Sequence, residues 1–489
     1  MSRAVPSRLV APVCSGLVAF GLYLSTLVKG PVHWDAPLWA FCAKHACSWL
    51  TGYPLYSLVS YPFAQLPVGT TIYRVALFSA LLGGVAVAVL CRIMLMLVAS
   101  PSIAFLSSLT FAVAPWTWEY SCIPEVYTLF WIIVGVLVIL VIRVLDGDDR
   151  ASGWLILAYA LSFTHHLLTV SLLPAVSFAL LASQGRRVFS RRNIAFGLMG
   201  IAVIAAMYIY GYFRNRTGVM GEEIVAGAGE YIDRILGDKD REVMFILDAS
   251  ALESSATSFA ENLFDSFPFP LWVLAICGLA AMVKKRRKLG LFFVFAICGI
   301  LFFALNIHFN EQAIYFAPVH FILAIPLAFI LDGVHDTMRT RATKLVLLLV
   351  FIPSVVGAVN TYARLKDKQA ESIRWYESTS QMIRQLDEGS LVIIPNQRLA
   401  NAFVAVAEDF PEKRLDIFGI SPHKRHGAKP GRRIDRALRE CRSIYIFGPP
   451  DMLAAYDPKL VSLKIVVEGR ERDVDVWRVK GCGGRGSDG

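Results

Sequence analysis

The sequence predicts a polytopic α-helical membrane protein of about eleven transmembrane helices, followed by a small C-terminal α/β domain on the outer face. Three observations predict it. Uncharged apolar runs of about 17–25 residues, the length that crosses roughly 30 Å of hydrocarbon, recur along the chain. Of its 489 residues 56% are hydrophobic and 18% charged, a balance that a single soluble globule does not explain. From about residue 361 the long runs give way to short apolar strands alternating with segments of helical period.

The formal net charge of +10 does not call for a nucleic-acid partner. Many of its arginines and lysines fall in short clusters between apolar runs, the pattern of loops held on the cytoplasmic side. The nine cysteines are scattered, with no CxxC and no Cys/His spacing suited to zinc. Cys42 and Cys47 share a loop and read either as a disulfide or as two small apolar fillers.

Taken in order, residues 9–28 read as an uncleaved first helix behind a short basic start, because no small-residue cleavage site follows and more spans do. It delivers residues 29–66 to the outer side. There Pro54, Pro62 and Pro67 break the pattern into short interfacial or re-entrant helices. A second span covers about 70–90, with Gly83 and Gly84 permitting close helix contact. A third covers about 101–115 and a fourth about 126–145. Residues 153–181 suit two short helices folded as a hairpin, since the four arginines of the following QGRRVFSRRN hold that loop inside. His165 and His166 lie near its middle.

Further spans fall at about 193–213, 270–283, 289–307, 315–331 and 345–359, and KKRRK at 284–288 is the strongest inside marker. Residues 214–267 form a long polar outer loop. These assignments divide the chain into a transmembrane domain over 1–360, an extracytoplasmic α/β domain over 361–480 and a disordered tail over 481–489. Strands are expected at 390–395, 414–419 and 443–448, helices at 401–408 and 433–440, and a closing hairpin at 464–480. No GxGxxG or P-loop marks a nucleotide site there.

Chemistry is sought on the outer side, where ionisable groups gather at span ends. Asp35, amid the aromatics and prolines of HWDAPLWAFCAKHACSWLTGYPLY, is expected in a shaped, partly desolvated turn suited to a proton acceptor. The competing reading is an N-cap of a helix beginning near Pro37. Glu125 opens the fourth span as a second candidate acid, or merely as a first-turn acid favouring the helix dipole. Arg74 and Arg214 enter spans from the outer side, where a guanidinium clamps a phosphate or snorkels to water. His165 and His166 suit donors to a phosphate as well as they suit a metal.

The run WDAPLW, then TGYPLYSLVSYPFAQLPVGTTIYRVALFSALLGG, resembles the N-terminal signature of the GT-C glycosyltransferase superfamily. Within it the chain resembles the group, long filed as a domain of unknown function, that includes the animal protein O-mannosyltransferase of IPT domains. That group reads D-x-G-E-F, H-P-P-G-Y-P-L-Y, L-P-x-G and R-V-N-L-x-S-A. PEVYTLF resembles its E-V-Y-x-L, and LSFTHHLLTVSLLPA its G-L-x-x-x-N-H-x-x-x-x-x-L-P. YFRNRTG and NEQAIYFAP are weaker matches, and the likeness runs in order over about residues 10–320. The chain departs from it at Leu38, where the family has a second acid, and at Trp49-Leu50-Thr51, where it has H-P-P.

The resemblance implies an inverting enzyme that moves a sugar from a polyprenyl-phosphate carrier to a hydroxyl of a protein, lipid or glycan acceptor at the outer face. On it Asp35 is the base and Glu125 an acceptor-positioning or assisting acid. Arg74, His165, His166 and Arg214 meet the donor phosphate, and Trp34, Tyr53, Tyr56, Tyr127 and Glu311 line the substrate groove. Some GT-C enzymes use a divalent cation; one carboxylate per loop does not demand it, and no metal ligands are assigned. A bacterial plasma membrane is the preferred location, with the endoplasmic reticulum for a eukaryotic chain. A transporter or flippase of a lipid-linked sugar is the alternative, although no inverted repeat is seen.

Overall fold

The computed structural model describes residues 5–32, 35–47, 53–216, 227–236, 248–307, 313–337, 341–394, 397–419, 430–447, 459–467 and 470–479. Helix α1 (Val5–Ser25) is followed by two short helices, α2 (Ala36–His45) and α3 (Pro54–Ala64), each begun by a proline in its first turn. These are the short helices expected in the proline-broken stretch. Helix α4 (Thr71–Leu97) starts where the Thr70 hydroxyl accepts the Tyr73 N–H at 3.0 Å. It crosses α1 at glycines on both sides: a Cβ on Gly84 would meet the Gly16 carbonyl at 2.8 Å, and one on Gly16 the Gly84 carbonyl at 2.9 Å. The small pair allows the close approach that a membrane-embedded contact favours.

Then come α5 (Pro101–Ala112), α6 (Pro115–Ser121), α7 (Tyr127–Leu145) and α8 (Asp149–Ser162). A turn at 163–166 leads through a 3-10 segment, Leu167–Leu172, into α9 (Leu173–Gln184). The chain continues with α10 (Arg191–Arg216), α11 (Ala228–Ile235), α12 (Ala249–Ser266), α13 (Leu271–Lys285), α14 (Arg287–Leu305) and α15 (Ala313–Thr337). Thus 153–181 divides into two helical pieces with both histidines at the break. Helix α12 shows that the long polar stretch of 214–267 is in part regular.

Among the described residues seven helices are long and apolar enough to cross a membrane, or eight with the bent pair Ser250–Ser266 and Leu271–Lys285 taken as one. About eleven were expected. The difference falls partly on α5, α8 and α13, with 12, 14 and 15 residues against the roughly 20 a full crossing needs. A new helix starting at Pro115 cuts the third expected span short.

Helix α16 (Arg341–Gln385) is 45 residues long and runs through the composition change at 361 without a break. The composition change at about 361 thus falls inside a continuous helix. Beyond it lie β1 (Leu391–Ile394), α17 (Gln397–Ala407), β2 (Asp416–Gly419), α18 (Pro430–Arg439), β3 (Ile444–Ile446), β4 (Lys459–Val467) and β5 (Arg470–Val479). The sheet order is β2-β1-β3-β5-β4, parallel over the first three strands and antiparallel beyond. Strand β1 is buried throughout. Val392 and Ile394 pack with Ile383, Phe403 and Val406, while Leu391 and Ile393 pack with Ile434 and Ala437. Cover on both faces explains why this strand reads as an unbroken apolar run.

The α/β domain docks on the head of the transmembrane part. Val404 of α17 packs on a small core of Leu38, Phe41, Cys42 and Cys47. Both cysteines are buried and not joined in a disulfide, which selects the filler reading. His45 Nε2 pairs with Glu408 at 2.9 Å. Asp409 accepts from the Thr71 N–H at 3.1 Å and the Thr71 hydroxyl at 2.9 Å, and Tyr376 donates to its other oxygen at 3.1 Å. An anion thus sits at the N-terminus of α4.

Burial raises the Asp409 carboxyl above 3.8, outweighing the lowering by Thr71, Tyr376 and Arg74. A raised folded value makes its stabilising contribution complete below 3.8 and diminishing as pH rises through that value. The melting temperature of Asp409→Asn relative to the natural chain is therefore expected to improve from pH 4 to pH 7. A difference that is flat or falls with pH would contradict the assignment.

Candidate active site

The site is assembled on α2, the start of α3, the heads of α4 and α7, and the histidine turn. Asp35 occupies the N-cap position of α2, with Pro37 behind it, but makes no side-chain capping bond. It is solvent-exposed, contrary to the partly desolvated turn expected, because the helix begins on its C-terminal side and buries Ala36–Ala43 instead. One turn on, the buried Trp39 sets its ring 5.0 Å from Tyr53 and 6.4 Å from Tyr56, both edge-on. Tyr53 in turn lies 5.0 Å from His166 and 6.1 Å from His165. Asp35 is thus joined through its own helix to an aromatic cluster.

Glu125 is 6% exposed, and its Oε1 accepts the adjacent Val126 N–H at 2.8 Å. Its own N–H donates to Ser79 Oγ of α4 at 3.1 Å, fixing the head of α7 against α4. The Val126 carbonyl meets His165 Nε2 at 2.9 Å. Tyr127 and Phe130, one turn apart on α7, lie 5.2 and 5.3 Å from His166, and Tyr315 of α15 lies 6.4 Å from it. The structure therefore brings Tyr53, Tyr56, Tyr127, both histidines and Glu125 together. Trp34 and Glu311 lie outside the described residues.

The two arginines have other partners. Arg74 donates to the Leu66 carbonyl at 2.7 Å and the Thr71 hydroxyl at 2.8 Å, and lies 3.4 Å from Asp409. Arg214 gives Nε and Nη2 to the His45 carbonyl at 2.9 and 2.7 Å, capping the C-terminal end of α2. Reaching a phosphate would require either guanidinium to exchange partners. Among the described residues no three His, Cys, Asp or Glu side chains gather as a metal site.

Several residues escaped the sequence reading. Trp39 and Tyr315 carry no local signal separating them from other buried aromatics. Glu119 lies near a span end, and nothing local in the sequence marks its setting. It is 3% exposed and paired with Arg364 at 2.9 Å and with Lys368, both from α16.

Residues 43–188 match the family described as Protein O-mannosyl-transferase TMEM260 N-terminal domain. Among solved structures, ArnT from Cupriavidus metallidurans bound to undecaprenyl phosphate is similar with a TM-score of 0.61 and 13% identity, over 96% of this chain and 97% of that one. Its apo state gives 0.62 and 13%, over 97% and 98%. No curated protein matches the sequence. The structural likeness speaks for the fold, and the family match speaks for the stretch from the end of α2 through α9, beginning after Asp35. The chain has a GT-C fold like that of ArnT, with several apolar spans, and its residues 43–188 are similar to the N-terminal domain of a protein O-mannosyltransferase.

Proposed function

We propose that the protein is an inverting glycosyltransferase that moves a sugar from a polyprenyl-phosphate donor to an acceptor hydroxyl of a protein, lipid or glycan at the outer membrane face. The observation that carries this reading is an aromatic, histidine-lined cluster beside the buried Glu125, within a GT-C fold, with an exposed acid one helical turn before Trp39 of that cluster. The acceptor oxygen attacks the anomeric carbon as the bond from that carbon to the phosphate oxygen breaks. Asp35 takes the hydroxyl proton, and the phosphate leaves on its lipid with the bonding electron pair. Glu125, held by Ser79 and Val126, positions the acceptor.

Leu38, buried under Val404, makes Asp35 the base without the partner acid of the related group. Arg214 fixes α2 from its far end and so acts on Asp35 through the helix. Arg74 serves the donor phosphate in exchange for Asp409, so the phosphate and the α/β domain compete for one guanidinium. That domain thereby senses whether the donor is bound.

The test is reconstitution of the full chain in vesicles carrying a polyprenyl-phosphate hexose, with release of free polyprenyl phosphate and movement of intact donor across the bilayer measured side by side. Cleavage of the donor, by transfer or by hydrolysis, is the expected result. Translocation without cleavage would overturn the enzyme reading in favour of a flippase.

A further inference from the structure

The histidine turn contains two buried polar atoms whose hydrogen-bonding character is fixed by their ring partners and which themselves have none. His166 Nδ1 accepts the Leu168 N–H at 3.0 Å, so that nitrogen carries no proton and the neutral ring is protonated at Nε2. His166 Nε2 is therefore a donor, and it is buried without a hydrogen-bond partner among the described residues. In His165 the order is reversed. Its Nε2 faces the Val126 carbonyl, which can only accept, so Nε2 carries the proton and the buried, unpartnered Nδ1 is an acceptor in the neutral ring.

One residue thus presents a lone donor and its neighbour a lone acceptor, with ring centroids 6.4 Å apart. His165 is 1% and His166 5% exposed, so neither orphan is met by bulk water. Leaving such a group unpaired costs on the order of 1–3 kcal/mol, a cost that a ligand supplying the missing partner removes. The surroundings are aromatic. Tyr53 and Phe130 each face both histidines, and Tyr127 and Tyr315 face His166. Tyr53, only partly buried, covers the pair from the N-cap of α3 at φ +59°, a backbone state costly for a bulky residue and often kept where a site must be gated.

Neutral donor, neutral acceptor and aromatic faces together match a ring bearing several hydroxyls better than an anion. A phosphate offers no strong donor to His165 Nδ1 and draws nothing from a net charge on either histidine. We propose that the His165–His166 turn recognises the sugar ring of the donor rather than its phosphate. His166 Nε2–H donates to one ring hydroxyl, His165 Nδ1 accepts from another, and Tyr53 moves aside to admit the ring. This rests on the donor reading above and assigns within it the subsite for the sugar.

The experiment measures binding of bare polyprenyl phosphate and of polyprenyl-phosphate mannose, glucose and galactose to the full-length protein in detergent. The natural chain is expected to bind at least one sugar-bearing lipid more tightly than the bare lipid. His165→Gln keeps a donor for Val126 but loses the acceptor at Nδ1. His166→Phe keeps the ring shape but loses the donor. Each is expected to weaken the preferred sugar lipid about tenfold while leaving bare polyprenyl phosphate within about twofold. His166→Gln, which restores an N–H near Nε2, is expected to recover part of the loss and serves as the folded control.

Equal weakening of bare and sugar-bearing lipid in His165→Gln and His166→Gln overturns the assignment and returns the pair to the phosphate. So does unchanged binding of every lipid in all three variants, or a natural chain with no preference for sugar. A natural chain that binds none of the lipids overturns the donor reading itself, an outcome distinct from the others.

Discussion

Asp35→Asn is expected to lower sugar transfer by about 10²–10⁴-fold, the range ascribed to a positioned general base, while binding of the donor lipid stays within about twofold. The substitution is nearly isosteric and the side chain caps nothing, so α2 loses no helix-starting bond and keeps Pro37 and the Arg214 cap at its other end. Loss of activity without loss of donor affinity separates proton transfer from substrate holding. Glu125→Gln is expected to differ. Its carboxylate is buried and bonded to Val126, so it should raise the acceptor KM as well as lower kcat. Undiminished transfer by Asp35→Asn would remove the base from α2 and move attention to Glu125, the other acid of the cluster.

Glu119→Gln is expected to cost about 3 kcal/mol of stability, the low end for breaking a buried ion pair. The low end applies because Arg364 is 52% and Lys368 20% exposed, so both cations keep part of their hydration. The carboxylate itself has little water, and its Oε2 lies within ion-pair distance of Arg364 without the alignment of a hydrogen bond. Much of the loss therefore falls on the contact with Lys368. Adding Lys368→Met should recover part of it, as expected for two groups that act as a unit. Thermal melting of the purified chain checks both, and fully additive losses would show that the pair is not coupled. Because α16 enters the α/β domain, the double variant also tests whether that domain stays docked when its rod is released from α6.

Much of this architecture was legible without coordinates, and the reason differs by region. Helices α4, α7, α10, α14 and α15 were readable because hydrocarbon leaves backbone groups no partner but one another, which forces long uncharged helical runs. The parallel strands were readable because β1 is covered on both faces and must be apolar throughout. Helix α5 is shorter than the span of about 101–115 that composition suggests, since apolar composition does not report where a proline begins a new helix. Tyr53, Tyr56, Tyr127, His165 and His166 stand in local motifs of the sequence, as does Asp35, whose exposure no motif reports.

Partners distant along the chain were hidden. The sequence by itself determined a membrane chain of apolar helices with a small α/β domain, since solvent exclusion acts on each segment separately. Only the tertiary structure decided that Arg74 faces Asp409 across 335 positions, that Arg214 caps α2, that Glu119 answers to α16, and that the histidines present one lone donor and one lone acceptor. Those are pairings between segments. A side chain's partner depends on what the fold places within about 3 Å of it, and no periodicity or local motif encodes that distance.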